Sequence, residues 1–166
     1  MSPDPRPPVP AVGDERTLLL AVLDHDRRTM ILKVEGLSLE QATRRLVPSE
    51  TTLLGMVKHL AVVEGHWFRT ALHGAVLPLP YSEEDPDGDF RIEPGETVDG
   101  ILGLYREAIA ASERAIDGVS LDAIAKWNRP KRPSLRWILL HMIEETSRHM
   151  GQADILREQT DGAIGT

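Results

Sequence analysis

The segment from Ser134 to Glu158 constrains the fold most, because its pattern predicts one long helix with ionisable side chains on its inward face. Glu145 and His149 lie four residues apart, so they leave the same side of the helix with Cβ atoms about 5–6 Å apart. Their stripe also holds Ile138, Met142, Gln152 and Leu156. An unpaired buried charge is costly. We therefore expect Glu145 and His149 to meet polar partners inside the fold.

The neighbouring acid, Glu144, is predicted to face solvent. It lies off the inward stripe and has Arg148 four residues later, which is the spacing of a solvated ion pair on a helix surface. The pattern therefore separates an outward acid, Glu144, from the inward acid Glu145.

Composition limits the classes of function open to the chain. Of its 166 residues, 41% are hydrophobic and 27% are charged, which is typical of a globular protein with one core. The formal net charge of -7 argues against binding to nucleic acid or anionic membranes, and no apolar run approaches a membrane span. No secretory signal pattern is present, so we expect a cytoplasmic location. Because the chain has no cysteine, a metal site must use histidine and carboxylate.

The remaining pattern predicts three more long helices and two short helical turns. The long helices are expected at about 15–35, 53–73 and 98–117, each after a capping Asp or Thr and before a glycine. Inward positions of the second and third are Leu53, Met56, Leu60, Val63, Trp67, Ala71, Ile101, Leu104, Tyr105, Ala108, Ala111 and Ala115. These features predict an all-α fold, a four-helix bundle with a long crossover loop.

We expect a single domain at residues 13–160. Residues 1–12 are rich in proline and are predicted to be disordered, and residues 161–166 are predicted to be flexible. Within the domain, the crossover at 75–96 contains four prolines, and seven acids stand against one arginine between Glu83 and Glu96. A loop of this length is either functional or a mobile, solvated crossover.

Three histidines, His59, His66 and His73, recur every seven residues on the second long helix. His73 is expected to interact with the helix dipole at the last turn, and His66 to pack at the rim. On its own, His59 would be a hydrogen-bonded core residue. A neighbouring helix that presents Glu145 and His149 changes this interpretation, because the three side chains could form a metal site with open positions.

Two stretches resemble a known family. HLAVVEGHW (59–67) and LLHMIEETSRHMGQADILRE (139–158) look like the DinB (YfiT-like) superfamily of metal-binding four-helix bundles. That pattern has a histidine on the second helix, followed by an acid and an aromatic residue, which Glu64 and Trp67 match. The last helix of the family carries two histidines four residues apart; His149 matches the second, whereas Glu145 replaces the first. An uncharacterised subgroup, sometimes labelled mini-circle proteins, is similar over nearly the whole chain and usually has this acid.

The resemblance implies that His59, Glu145 and His149 bind a divalent metal: Zn, Ni, Fe, Co or Mn. Compared with three histidines, a carboxylate favours harder metals and makes a bound water less acidic. His141 is rotated away from the ligand stripe and is expected either to hold a ligand in place or to pack in the core. Glu64 is a second candidate for orienting a ligand, although it is expected more strongly to face solvent.

Members of the superfamily include thiol-dependent transferases and a mycothiol-dependent isomerase. The resemblance therefore implies a metal-dependent small-thiol S-transferase or hydrolase with an electrophilic substrate. Two alternatives stay open, a non-enzymatic metal-binding or stress-associated bundle, and a metal-free bundle with a buried His/Glu network. A basic cluster could receive an anionic thiol, or could simply be solvated: Arg129, Lys131, Arg132 and Arg136. A homodimer formed through helix faces is a further expectation.

Overall fold

The computed structural model of this chain describes residues 6–128 and 130–165. Most of the predicted flexible ends fall within this range, but residues 1–5 and Thr166 lie outside it. All regular secondary structure in the described residues is helical, and one isolated antiparallel bridge joins Ile124 to Ser134. The all-α prediction is therefore confirmed. Within the same residues, no helix combines the length and apolar character that crossing a membrane would require.

Five α-helices and one π-helical segment follow each other along the chain. They are α1 (Glu15–Leu32), α2 (Leu39–Ala42), α3 (Leu53–Glu64), the π-helical segment (Gly65–Ala71), α4 (Val98–Ile116) and α5 (Leu135–Asp161). Helix α1 packs on α5, and α3 packs on both α4 and α5. The site residues therefore lie on two helices, α3 and α5, that contact each other directly.

Side-chain caps define the starts of the long helices. Asp14, Thr52, Thr97 and Ser134 each accept a hydrogen bond from the backbone N–H three residues later. These caps satisfy donors that the first helical turn leaves without partners. The predicted starts are thus confirmed, whereas α1 ends at Leu32, earlier than expected, and α5 continues to Asp161.

The π-helical segment changes which residues of the second long helix are buried. A π turn contains one more residue than an α turn, so it rotates the side chains that follow it. Within the segment, Trp67, which was predicted to lie in the buried stripe, is only partly buried, whereas Phe68 is fully buried. Val63 and Glu64 precede the segment, at the end of α3. Val63 is also only partly buried, against the prediction, and Glu64 is fully buried. On α4, the prediction for Leu104 was wrong, because this side chain is 42% exposed.

The crossover between the π-helical segment and α4 is fastened to α3. The buried Lys58 ammonium donates to the backbone oxygen of Arg91 at 2.7 Å and pairs with Glu96 at 2.8 Å. Gly55 allows the crossover backbone to come close, because a Cβ there would lie 2.4 Å from the oxygen of Phe90. These contacts hold residues 89 and 90 against α3, where both contact His59.

Candidate metal centre

His59, Glu145 and His149 come together where α3 faces α5. The Oε1 atom of Glu145 lies 3.3 Å from Nε2 of His59 and 3.2 Å from Nε2 of His149. One potential ligand atom from each residue lies within 4.8 Å of the others. The two imidazole rings meet edge to face with centroids 5.0 Å apart. The three residues predicted from the sequence are thus neighbours in space.

The spacing of these atoms suits a divalent metal. Ligand atoms about 2.0–2.2 Å from a tetrahedral metal are separated from one another by about 3.3–3.6 Å. The two distances to Glu145 Oε1, 3.3 and 3.2 Å, lie close to the short end of this range. Two imidazole nitrogens and one carboxylate oxygen form a donor set used by zinc and by first-row transition metals. The residues present therefore fit a metal.

Both histidines are held through their other ring nitrogen. Nδ1 of His59 donates to Oδ2 of Asp89 at 2.8 Å, and Nδ1 of His149 donates to Oε1 of Gln152 at 2.8 Å. When Nδ1 carries the proton of a neutral imidazole, the Nε2 lone pair is available to a metal. Such outer hydrogen bonds fix the ring orientation of metal-binding histidines.

Without a metal, the same side chains form a charged network. Burial alone lowers the pKa of His59, but hydrogen bonds to Asp89 and Glu145 outweigh burial and raise that pKa to about 9. Hydrogen bonds from His149 and His59 hold the pKa of Glu145 far below its usual value. The network therefore pairs an imidazolium with a carboxylate near neutral pH.

The His59 side chain also contacts Phe90 and lines a cavity. The ring of Phe90 stacks on the His59 imidazole with centroids 4.2 Å apart and planes 18° apart. Beside it, a cavity of about 280 Å³, here called the His59 cavity, is lined by residues of α3, the π-helical segment and the crossover. Its lining residues are His59, Val62, Val63, His66, Trp67, Tyr81, Pro86, Asp89 and Phe90.

Asp89 and Phe90 were not predicted as site residues. The sequence signal was the acidic crossover, in which seven acids made no single residue stand out. Asp89 is only 3% exposed, and its Oδ1 has no hydrogen-bond partner in the described part of the chain. The crossover therefore forms part of the site, and its acids would oppose an anionic ligand bound directly at His59.

The two candidate supporting residues lie in other environments. His141 stacks on Trp137, with centroids 5.0 Å apart, and meets Trp67 edge to face. Glu64 is fully buried, and its two carboxylate oxygens accept hydrogen bonds of 2.7 and 2.8 Å from Arg27. The expectation that Glu64 faces solvent was therefore wrong, because an arginine of α1 compensates its buried charge.

The predicted basic cluster is only partly available to a ligand. Arg136 pairs with Glu15 at 2.7 Å and also contacts Asp122. Lys131 and Arg132 are exposed, and Arg129 lies outside the described residues. The prediction that Glu144 faces solvent is confirmed, since its side chain is 69% exposed and lies 4.0 Å from Arg148.

Fold and site together define an all-helical protein with a candidate two-histidine, one-carboxylate metal centre between two helices. A sequence profile of the family described as mycothiol-S-transferase matches residues 18–162, which is most of the chain. The chain therefore belongs to the mycothiol-S-transferase family. This family is part of the DinB/YfiT-like superfamily, so the resemblance noted from the sequence is confirmed. A search of curated proteins found no match.

Proposed function

We propose that this protein is a divalent-metal-dependent S-transferase that joins a small thiol, mycothiol, to an electrophilic carbon. The observation that supports this most is the convergence of His59, Glu145 and His149 in a chain of this family. The same proposal takes the long helices α1, α3, α4 and α5 as the four members of a bundle. Pairwise packing of α1 with α5 and of α3 with α4 and α5 supports that arrangement.

His59, Glu145 and His149 would hold the metal. When bound, a divalent metal supplies Lewis acidity that keeps a thiol deprotonated near neutral pH. Asp89 and Gln152 keep the two imidazoles oriented with Nε2 toward Glu145. Phe90 covers one face of His59 and limits the access of water from that side.

The His59 cavity is the proposed place for the electrophile. Trp67, Tyr81 and Pro86 give it a largely apolar wall, and Asp89 contributes a buried carboxylate oxygen without a partner among the described residues. In the transfer, the sulfur forms a bond to carbon while the leaving group departs with its electron pair. With an epoxide, the ring oxygen keeps that pair and takes a proton from solvent.

A metal-free network is the competing interpretation, because contacts of 3.2 and 3.3 Å also serve as hydrogen bonds. Elemental analysis of the purified protein separates the two. The proposal expects about one equivalent of Zn, Ni, Fe, Co or Mn per chain. It also expects that metal to be lost in His149→Ala and kept in His73→Ala, whose imidazole instead contacts the backbone oxygen of Ala115.

Thiol consumption then separates an enzyme from a metal-binding protein without turnover. We expect mycothiol to be consumed with an alkyl halide or an epoxide, and consumption to stop after chelation and in His59→Ala. A metal-loaded protein that consumes no thiol with any of these electrophiles would support the non-enzymatic alternative. Hydrolysis of the electrophile without thiol would instead support a hydrolase. The predicted cytoplasmic location and homodimer stay predictions.

A further inference from the structure

We propose that a second cavity, between the π-helical segment and α4, binds an organic monoanion with an apolar body, such as an aromatic carboxylate. This α4 cavity has a volume of about 560 Å³, within the range of cavities that hold small ligands. Much of its wall is apolar: Ala61, Val62, Leu77, Pro78, Leu79, Leu104, Ala108, Ala110 and Ala111. Burial of a hydrocarbon body against this wall would be favourable.

Two arginines give the α4 cavity its charge preference. Arg69 of the π-helical segment and Arg114 of α4 both line it, and neither guanidinium has an ion pair within residues 6–128 and 130–165. Each cation lies in the last turn of its helical element, Arg114 in α4 and Arg69 in the π-helical segment, where the helix dipole favours positive charge. The dipole does not require the two arginines to meet at one cavity. Both side chains are exposed, so they lie at the rim of the cavity. In a chain of net charge -7, two cations without ion-pair partners among the described residues, beside one apolar cavity, favour an anionic ligand.

Glu107 sets the charge of that ligand. It is the only acid among the described residues that line this cavity, so the wall they form carries one carboxylate against two guanidinium groups. A single negative charge on the ligand would balance the remaining positive charge. A dianion would leave one negative charge near Glu107 without compensation.

The backbone of the π-helical segment shapes the entrance. Gly65 lies in the wall, and a Cβ at this position would come within 3.1 Å of Leu77. Glycine therefore lets the segment 77–79 lie close over the cavity. Short π segments are frequent at functional sites, and here the segment supplies three wall residues: Gly65, His66 and Arg69.

The α4 cavity adjoins the His59 cavity, because Val62 and His66 line both. A ligand with its carboxylate at Arg69 and Arg114 would direct its apolar end toward His59. Its role as the electrophile of the transfer reaction rests on the proposed function. Binding of the anion itself does not, because it depends only on the wall of the α4 cavity.

Calorimetric titration with phenylacetate and its neutral amide, phenylacetamide, tests the binding. Neither probe alkylates thiols, so binding is measured without reaction. We expect phenylacetate to bind at least about tenfold more tightly than the amide, since charge-assisted hydrogen bonds are stronger than neutral ones. Equal affinities for acid and amide, or no binding of phenylacetate, would overturn the proposal.

Three substitutions test which side chains cause the preference for phenylacetate over phenylacetamide. We expect Arg69→Gln and Arg114→Gln each to remove most of the preference for the acid over the amide, and Glu107→Gln to strengthen phenylacetate binding. Arg44→Gln is the matched control, because Arg44 is exposed, like Arg69 and Arg114, but lies outside this cavity wall. Equal losses in Arg44→Gln and Arg69→Gln would show a nonspecific charge effect and contradict the proposal.

The titrations are run on metal-loaded protein and repeated after chelation. We expect the acid preference to persist without metal, since none of the three proposed metal ligands lines the α4 cavity. If thiol transfer fails but the acid preference remains, only the proposed function is lost. If transfer occurs but the preference is absent, only the α4 cavity proposal is lost.

Discussion

At the residue scale, Glu145 is the group on which the candidate metal centre most depends. Its Oε1 contacts both imidazoles, and it is the one anion among the three proposed ligands. It also stands where the superfamily pattern usually has histidine. Replacing it therefore removes both a ligand and the charge that compensates a divalent cation.

We expect Glu145→Ala to weaken metal binding by more than about 100-fold, because loss of a ligand exceeds the about 10–100-fold effect of losing a supporting hydrogen bond. Competition with a chelating dye measures the change. Glu144→Ala is a matched control one residue away, because Glu144 points to solvent. Equal effects in the two variants would contradict the assignment of Glu145 as a ligand.

Asp89 supports the same site from the crossover. We expect Asp89→Asn to weaken metal binding by about 10–100-fold, because a neutral amide orients and polarises the His59 imidazole less than a carboxylate does. The dye competition applies again, with Asp87→Asn as control, because Asp87 lies in the same loop and is exposed. Unchanged affinity in Asp89→Asn would mean that His59 is oriented by other contacts.

At the scale of elements, a buried ion pair joins α1 to α3. Arg27 is 2% exposed and Glu64 is 0% exposed, and two hydrogen bonds connect them. Arg27 also pairs with Asp24 on its own helix at 2.9 Å. Removing one member would leave an uncompensated buried charge.

We expect Glu64→Gln to lower the free energy of unfolding by about 3–5 kcal/mol, the usual cost of breaking a buried pair from one side. Urea unfolding of wild type and variant measures this change in the free energy of unfolding. The double replacement Arg27→Met with Glu64→Leu should recover much of the loss, since no buried charge is left. Arg148→Gln, in the exposed pair with Glu144, should change stability by less than about 1 kcal/mol. A similar small change in Glu64→Gln would show that Arg27 finds another partner.

The contact between α1 and α5 carries a pH-dependent contribution. Burial raises the pKa of Asp26, although a hydrogen bond from Ser147 of α5 opposes that effect. A raised pKa in the folded state means that folding favours the protonated acid. The contribution of Asp26 to the free energy of unfolding is therefore fully present below the unfolded pKa of about 3.9. It is lost as pH rises through the folded pKa of Asp26.

Asp26→Asn should therefore stabilise the protein relative to wild type more at pH 7 than at about pH 4. Urea unfolding of metal-free wild type and variant at both pH values measures the difference, and changes at the metal centre cancel. Asp87→Asn is the matched control, because Asp87 is exposed. A constant difference between wild type and Asp26→Asn would refute the argument.

At the scale of the whole molecule, the candidate centre connects α3, α5 and the crossover. A ligand that binds only the folded state adds stability by mass action, about 2.7 kcal/mol at a metal concentration 100 times the dissociation constant. We expect chelation to lower the melting temperature of wild type and to leave that of His149→Ala unchanged. Calorimetry with and without chelator measures both, and an equal response in the two proteins would exclude the site.

The sequence predicted the helical class, the helix starts and the meeting of His59 with Glu145 and His149. The helical class and the helix starts depend on local patterns, since caps and stripes are set by neighbours along the chain. The meeting of His59 with Glu145 joins residues 86 positions apart, and the resemblance to a known family, rather than a local pattern, implied it. The role of the metal stays a prediction. Asp89 could not be singled out, because its place depends on how Lys58 fastens the crossover. The pairing of Glu64 with Arg27 joins residues 37 positions apart and leaves no local pattern.

The fastening by Lys58 has a thermodynamic consequence. Lys58 holds the crossover to α3 through the Arg91 backbone oxygen and Glu96, and the same crossover brings Asp89 to His59. Release of the crossover would remove Asp89 from the imidazole, so affinity for the proposed metal and closure of the crossover would be linked equilibria. Linkage is reciprocal. If closure of the crossover raises the affinity for the metal by some factor, a bound metal would raise the equilibrium constant for closure by the same factor.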